Sequence, residues 1–322
     1  MRRFEVNRKV HILVTGGAGF IGSHLTDALV KEGHRVTVVD NLSTGRRSNL
    51  NPDAKFHCCD ISRPEELDEV FRSDHFDLVY HHAAQMNVRR SVADPAHDAT
   101  VNIIGLLNVL QCCVRYGVGK VVFASTGGAV YGDQRTFPAD EEHVTNPISP
   151  YGVAKLSSEK YLFYYHSVFG VHVTILRYAN VYGPRQNSAG EAGVVAVFGS
   201  TLLNGGTPMI NGDGSQTRDF VFVDDVIRAN LLALPGEGFH TFNVGTGLET
   251  DINAIFEQIR TATGSTGPAS HGPRQQGEQL RSVLDFRKIE RSLGWRPRIS
   301  LDEGIEHTVR WFRREAGNNA PT

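Results

Sequence analysis

Val14-Thr15-Gly16-Gly17-Ala18-Gly19-Phe20-Ile21-Gly22 closes a short apolar run and opens an amphipathic one, with its glycines spaced G-x-x-G-x-x-G. At a strand-to-helix turn this spacing has a physical reading. Gly16 allows a sharp turn, Gly19 lets backbone N–H groups approach a pyrophosphate, and Gly22 lets helix and sheet pack closely. Alone, the pattern also fits a plain tight-packing turn. The next apolar run, Arg35–Val39, is followed by Asp40, about 20 residues beyond the glycines, where an acid binds adenosine ribose hydroxyls. A carboxylate there repels a 2′-phosphate, so the expected cofactor is NAD rather than NADP.

Working outward, apolar runs alternate with amphipathic stretches. Strands are expected at Val10–Thr15, Arg35–Val39, Lys55–Cys59, Leu78–His81, Lys120–Ala124 and His172–Tyr178. Helices are expected at Ile21–Glu32, Glu65–Arg72, Ala99–Tyr116 and Tyr151–Phe169. This alternation predicts an α/β, Rossmann-type doubly wound parallel sheet with helices on both faces. Asp60-Ile61 and Ala83-Ala84-Gln85 follow the third and fourth strands, at the strand ends where such sheets bind ligands. The stretches Gly183–Gly214 and Thr263–Gly277 are rich in Gly, Pro, Asn and Gln and are read as loops and small elements. The expected organisation is an NAD-binding domain over residues 1–178. A smaller C-terminal substrate-binding lobe, mainly 179–322, would be interleaved with the last sheet strands. Glu315–Thr322 is read as a frayed tail.

Tyr151-Gly152-Val153-Ala154-Lys155 sets a phenol and an ammonium four residues apart, on one face of a helix. Such a pair is often no more than a surface contact. Here it follows a dinucleotide-binding half and a strand ending in Ser125-Thr126. A strand-end hydroxyl can bond both a substrate oxygen and the phenol, and a nearby ammonium favours the phenolate of a general base.

Composition narrows the class. The 322 residues are 40% hydrophobic and 21% charged with a formal net charge of −2, which offers no basic excess for nucleic acid. The four cysteines fall as the adjacent pairs Cys58/Cys59 and Cys112/Cys113, without metal-site spacing, so reduced thiols in a cytoplasmic protein are expected and no metal. Met1–Lys9 is charged and the run His11–Val14 is too short to cross a membrane, so neither a leader nor a membrane partner is expected. His81/His82 read as buried strand-end histidines, Phe163-Tyr164-Tyr165 as core or interface, and Trp295 and Trp311 as packing of the small lobe.

Taken together, Thr15–Gly22, Asp40-Asn41-Leu42-Ser43-Thr44-Gly45, Tyr151-x-x-x-Lys155, Arg177–Pro184, Asn211–Phe220 and Val223-Asp224-Asp225-Val226 resemble the extended short-chain dehydrogenases/reductases acting on nucleotide sugars. Within them the chain most resembles the UDP-glucose 4-epimerases, along nearly its whole length. The resemblance implies an isomerase that inverts C4 of a UDP-sugar through a transient 4-keto sugar, with NAD regenerated each turnover. It implies that Tyr151 takes the C4 hydroxyl proton and that Lys155 tunes Tyr151 and holds the nicotinamide ribose. Further cofactor contacts would come from Phe20, Ile21, Asn41, Ser43, Thr44, Gly45, Asn102 and Tyr178. Asn180 would contact the diphosphate or sugar, Arg218 would clamp the diphosphate with its planar guanidinium, and Glu278 belongs to the substrate side. A homodimer is implied, with Ala99–Tyr116 and Tyr151–Phe169 meeting their copies.

The chain departs from the pattern at two places. The usual catalytic hydroxyl position is Gly127, with Thr126 one residue earlier, and flexible Gly127 and Gly128 would let Thr126 reach inward. An arginine commonly three residues before the acid is replaced by Gln275, so Arg274 is named as the substitute. Aligning the Gly-acid pair on Gly277-Glu278 places Ser282 at the sugar-pocket wall, where a tyrosine tends to exclude an N-acetyl group. Among rivals on the same scaffold, 4,6-dehydratases and UDP-glucuronate decarboxylases use an acid just after the strand-end hydroxyl, where this chain has Gly127 and Gly128. UDP-glucuronate 4-epimerisation stays open, as do the N-acetyl sugars and a TDP or GDP nucleotide. A non-catalytic relative would be marked by loss of Tyr151 or Lys155, and both are present.

Overall fold

Residues 9–188, 193–274 and 279–318 are described by the computed structural model. The readings placed on Met1–Arg8, Gln275, Gly277, Glu278 and the last four residues fall outside them. The opening strand β1 (His11–Thr15) lies inside a seven-stranded sheet with β2 (Arg35–Asp40), β3 (Lys55–Cys58), β4 (Leu78–His81), β5 (Lys120–Thr126), β6 (His172–Tyr178) and, later in the chain, Phe239–Val244. The order across the sheet is β3-β2-β1-β4-β5-β6 and then Phe239–Val244. β1 runs parallel to both β2 and β4, in register Thr15 with Val39 and Thr15 with His81. The chain therefore winds one way from β1 to β3 and the other way from β4 to β6. The switch point lies beside β1, where doubly wound sheets take ligands. Every residue of β1 and β4 is buried, as expected for strands covered on both faces.

Local chemistry sets the helix ends. Helix α1 is Phe20–Lys31, and α2 (Pro64–Ser73) starts on a proline with Glu65 and Glu66 in its first turn. α3 (Val88–Ala93) is capped by Asn87 and α4 (Pro95–Ala99) by Asp94. α5 (Gly105–Tyr116) ends on Gly117 in the left-handed region, φ 73°. The uniform helix expected over Ala99–Tyr116 is corrected here: it begins at Pro95 and passes through a π-helical stretch, Thr100–Ile104. Such widened turns occur often at functional sites. By length and composition Pro95–Tyr116 could cross a membrane, yet its inner face, with Asn102, Leu106, Val109 and Cys113, is buried here. The flexible role expected of Gly127 and Gly128 is also corrected, because they form the one-turn helix α6 (Gly127–Val130) directly after β5. α7 (Pro150–Phe169) begins where the Ser149 hydroxyl accepts from the Gly152 N–H at 3.2 Å.

Backbone contacts divide the chain into two compact units. Unit 1 comprises residues 1–130, 147–177 and 227–242. Unit 2 comprises 131–146, 178–226 and 243–322. Unlike a single cut after residue 178, this division groups 131–146 with the C-terminal unit and 227–242 with the sheet. Unit 2 holds a parallel pair, Asn180–Tyr182 with Phe220–Phe222, and an antiparallel pair, Thr217–Arg218 with Thr250–Asp251. Helices Val194–Leu203, Ile252–Thr263 and Leu301–Asn318 pack on one another. Val194–Leu203 is a ten-residue helix within the loops and small elements expected over Gly183–Gly214, and Leu301–Asn318 corrects the frayed reading of the tail as far as Asn318.

Two acids tie unit 2 together. The buried Asp219 carboxylate accepts from the N–H groups of Thr246, Gly247 and Leu284 and from the Thr246 hydroxyl. Asp225 accepts from the N–H groups of Arg298 and Ile299, and its carbonyl accepts from the indole of the fully buried Trp295. Trp311 packs its ring 5.0 Å from that of Phe312.

Candidate active site

The β1–α1 turn is shaped by what its glycines leave out. Gly16 has φ 73°, and a Cβ there would lie 2.6 Å from the Ala83 nitrogen. A Cβ on Gly22 would lie 2.2 Å from the Gly16 carbonyl oxygen. Glycine is thus required at one position for its backbone angle and at the other for close approach. The opening turn of α1 contains no acidic side chain that would repel a phosphate. At the end of β2, Asp40 accepts from the Ala18 N–H at 3.0 Å and the Leu42 N–H at 2.8 Å, which ties the acid to the glycine turn. Burial pushes its carboxyl above the ordinary range against those two bonds. Gly45 keeps this corner open, since a Cβ there would lie 2.8 Å from an Asp40 oxygen.

The neighbouring expected cofactor residues gather at the same strand ends. Asn41 donates to Asp60 at 3.0 Å, and Asp60 also accepts from the N–H and hydroxyl of Ser62. These bonds overcome burial and hold the Asp60 carboxyl below its usual value. Ala83 donates its N–H to the Thr15 hydroxyl at 3.3 Å. Gln85 and Asn102 clasp each other, N–H to side-chain oxygen at 3.0 Å and side-chain amide to carbonyl at 2.9 Å. A cradle without side chains, a ribose-binding acid and a polar strand end fit a dinucleotide.

The three expected catalytic residues all lie in unit 1, with Thr126 closing β5 and Tyr151 and Lys155 on α7. Lys155 is buried on α7, donates to the Ala124 carbonyl at 2.9 Å, and lies 4.8 Å from the centroid of the Phe123 ring and 5.9 Å from that of Tyr151. Burial lowers its ammonium to about 8, with Asp98 and Glu159 resisting the change. Tyr151 is half-buried and donates its backbone N–H to the Ser91 hydroxyl at 3.2 Å. Burial, and then the Asp98 charge, pushes its phenol above the ordinary value. This corrects the expectation that Lys155 lowers the phenol: here the ammonium is bonded to a carbonyl and burial dominates.

Thr126 is half-buried and its hydroxyl makes no hydrogen bond among the described residues. Ser125 is committed elsewhere, donating to Glu159 at 2.6 Å. Glu159 in turn pairs with Arg177 through two bonds, 3.0 and 2.6 Å, in a buried ion pair. Sequence reading missed this Ser125–Glu159–Arg177 group. Its one signal was the acid four residues after Lys155 on the same helix face. His81 is buried, 3.0 Å from the Thr15 hydroxyl and stacked on Phe123, and burial holds His82 down at about 3. Among the described residues no group of three or more His, Cys, Asp or Glu could hold a metal ion.

The expected substrate residues lie in unit 2, together with Tyr178. Asn180 donates its backbone N–H to the Asp219 carbonyl at 2.9 Å. Arg218 is half-buried and bonds the Thr217 carbonyl at 2.7 Å. Arg274 is exposed beside the Gly212–Asp213 turn, where bonds from the Ser215 N–H and hydroxyl, and only lastly the Arg274 charge, hold the Asp213 carboxyl down. Ser282 is buried, between Arg281, which pairs with Glu249, and Val283, whose N–H bonds Gln134.

A profile of the NAD-dependent epimerase/dehydratase family matches residues 12–245. A putative UDP-glucose 4-epimerase of Methanocaldococcus jannaschii is 47% identical over 94% of this chain and 98% of its own. A UDP-glucose 4-epimerase of Thermotoga maritima, solved with UDP-glucose, superposes with a TM-score of 0.93 at 47% identity, over 95% of this chain and 99% of that one. The Thermus thermophilus UDP-glucose 4-epimerase, solved with NAD, gives 0.91 at 42% identity, over 94% and 99%.

Proposed function

The chain belongs to the NAD-dependent epimerase/dehydratase family, and from that premise we propose that it inverts C4 of a UDP-hexose, interconverting UDP-glucose and UDP-galactose. The observation that carries the reading is that Lys155 lies 5.9 Å from the Tyr151 ring and reaches the Ala124 carbonyl near the end of β5, in the unit that also holds the glycine cradle and Asp40. Relatives that share nearly the whole chain length are named for this reaction.

NAD would supply the hydride acceptor and donor for C4. Gly16, Gly19 and the opening of α1 would hold its pyrophosphate, and Asp40 its adenosine ribose. Lys155 binds the nicotinamide ribose and keeps its charge at neutral pH, being lowered only to about 8. Thr126 donates to the sugar oxygen at C4 and steers it toward the phenol. Tyr151 takes the C4 hydroxyl proton and gives it back after the 4-keto sugar has turned over. The proposal assigns recognition of the diphosphate to Asn180, Arg218 and Arg274, and recognition of the sugar to Glu278 and Ser282. Gly127 and Gly128 place no acid or base after the strand-end hydroxyl, so nothing there drives elimination or decarboxylation.

The enzyme is proposed to act as a homodimer through residues 99–116 and 151–169, where Ile104, Val153, Tyr161, Phe163, Tyr164 and Val168 expose apolar surface. It is placed in the cytoplasm, in keeping with four free cysteines. Purified protein incubated with UDP-galactose and no added cofactor or reductant is expected to yield UDP-glucose, and denaturing it to release NAD. Stoichiometric NADP, or no turnover across a panel of UDP-sugars, would refute the reading.

A further inference from the structure

Asp98 was not singled out by any motif. It lies in α4, is 1% exposed, and uses only one of its two carboxylate oxygens. Oδ1 accepts from the Gln85 side-chain amide at 2.8 Å and the Asn102 side-chain amide at 3.0 Å. Oδ2 is buried with no hydrogen-bond partner. A buried carboxylate oxygen left without a donor is costly unless a charge nearby compensates it.

The same cluster grips α7. The Asn102 carbonyl accepts from the Ser158 hydroxyl at 3.1 Å, and Ser158 shares the buried helix face with Lys155 and Glu159. Charged and titratable groups that act on Lys155 and Tyr151 come from three elements. These are Asp98 on α4, Glu159 on α7, and His81 and His82 at the end of β4, while Arg177 on β6 pairs with Glu159. The histidines are held neutral by burial, and Arg177 cancels much of Glu159 through its paired bonds. Asp98 is left as the acid with no cation bonded to it among the described residues.

We propose that Asp98 is a positioning residue for the epimerase reaction: it locks Gln85 and Asn102 with one oxygen and supplies, with the other, the buried counter-charge that sets the working pH of Tyr151 and Lys155. This rests on the epimerase reading above. The sign of its effect is the same on both groups. A negative charge stabilises the Lys155 ammonium and destabilises the Tyr151 phenolate, so removing it lowers both titrations together.

The test is the pH profile of kcat for the holoenzyme of wild type and Asp98→Asn, which keeps an oxygen for Gln85 and Asn102. Both limbs are expected to move to lower pH, by roughly one unit. Asp98→Glu should restore them. Limbs that stay in place while kcat falls, or that move in opposite directions, would overturn the proposal and leave Asp98 a packing residue. Asp98→Ser repeats the test where the amide variant does not give folded holoenzyme, and failure of both to fold would equally assign a structural role only. Thermal unfolding gives a readout without turnover. Lys155→Met should lower Tm more in the wild-type background than in the Asp98→Asn background, and equal losses would contradict the coupling. An inactive wild type refutes the epimerase reading; an active wild type with unmoved limbs refutes this inference alone.

Discussion

At the β1–α1 turn the chain fills its own space: a methyl on Gly22 would meet the Gly16 carbonyl at 2.2 Å, and Asp40 already holds two backbone N–H groups. At the end of β5 the Thr126 hydroxyl is without a partner among the described residues, and on α7 a half-buried phenol lies near a buried ammonium, with their titrations displaced. The first corner is a fixed mould whose geometry follows from backbone sterics. The second is set by charge and burial, and the proposed reaction uses it to position a substrate. Residues at the mould should therefore answer to stability and cofactor content, and residues at the second corner to turnover.

The sharpest way to break this division is Tyr151→Phe. It should lower kcat by at least about 10²-fold with little change in UDP binding, read by steady-state kinetics and calorimetry. Unchanged turnover would mean that the proton travels by another group. Thr126→Val should lower kcat by roughly tenfold or more, since a positioned hydroxyl is lost. Ser125→Ala should instead cost about 1–3 kcal/mol of stability, because it removes a hydrogen bond to the charged Glu159. If the serine variant loses turnover and the threonine variant does not, the strand-end roles are reversed.

Gly22→Ala tests the other corner. Overpacking against the Gly16 carbonyl should cost about 1–3 kcal/mol and release bound NAD, visible in thermal melts and in the nucleotide freed on denaturation. A variant that keeps both would show that the turn can yield. The smallest effect is expected at Ser282. Ser282→Tyr should reduce kcat/KM for UDP-N-acetylgalactosamine relative to UDP-galactose, because a ring would occupy the space of the acetyl group. An unchanged ratio would remove Ser282 from the sugar wall.

How much of this was legible in the sequence follows the same division. β4 and β6 fell on the expected residues, because alternation of buried runs and turns is a local signal. The glycine spacing and Asp40 were equally plain, since Gly16 and Gly22 leave no room for a Cβ and the acid follows at the expected spacing. Val194–Leu203 was not singled out as a helix because an all-apolar helix has no polar face to mark it and it sits in a stretch rich in glycine. The π-helical turn at Thr100–Ile104 left no trace in the pattern of apolar residues. At the β5 end the spacing of Tyr151 and Lys155 was readable, but their titration was not. It depends on burial, on the Ala124 carbonyl and on Asp98, which is 53 residues away from Tyr151 in sequence and beside it only after folding.

The central claim is that one hydride leaves C4 and returns to the same carbon. Incubating the holoenzyme with UDP-galactose deuterated at C4, without added cofactor, and analysing the product by mass spectrometry and NMR tests it directly. The account predicts UDP-glucose that keeps its deuterium at C4. Loss of the label to water, or a labelled product still in the galactose configuration, would contradict it.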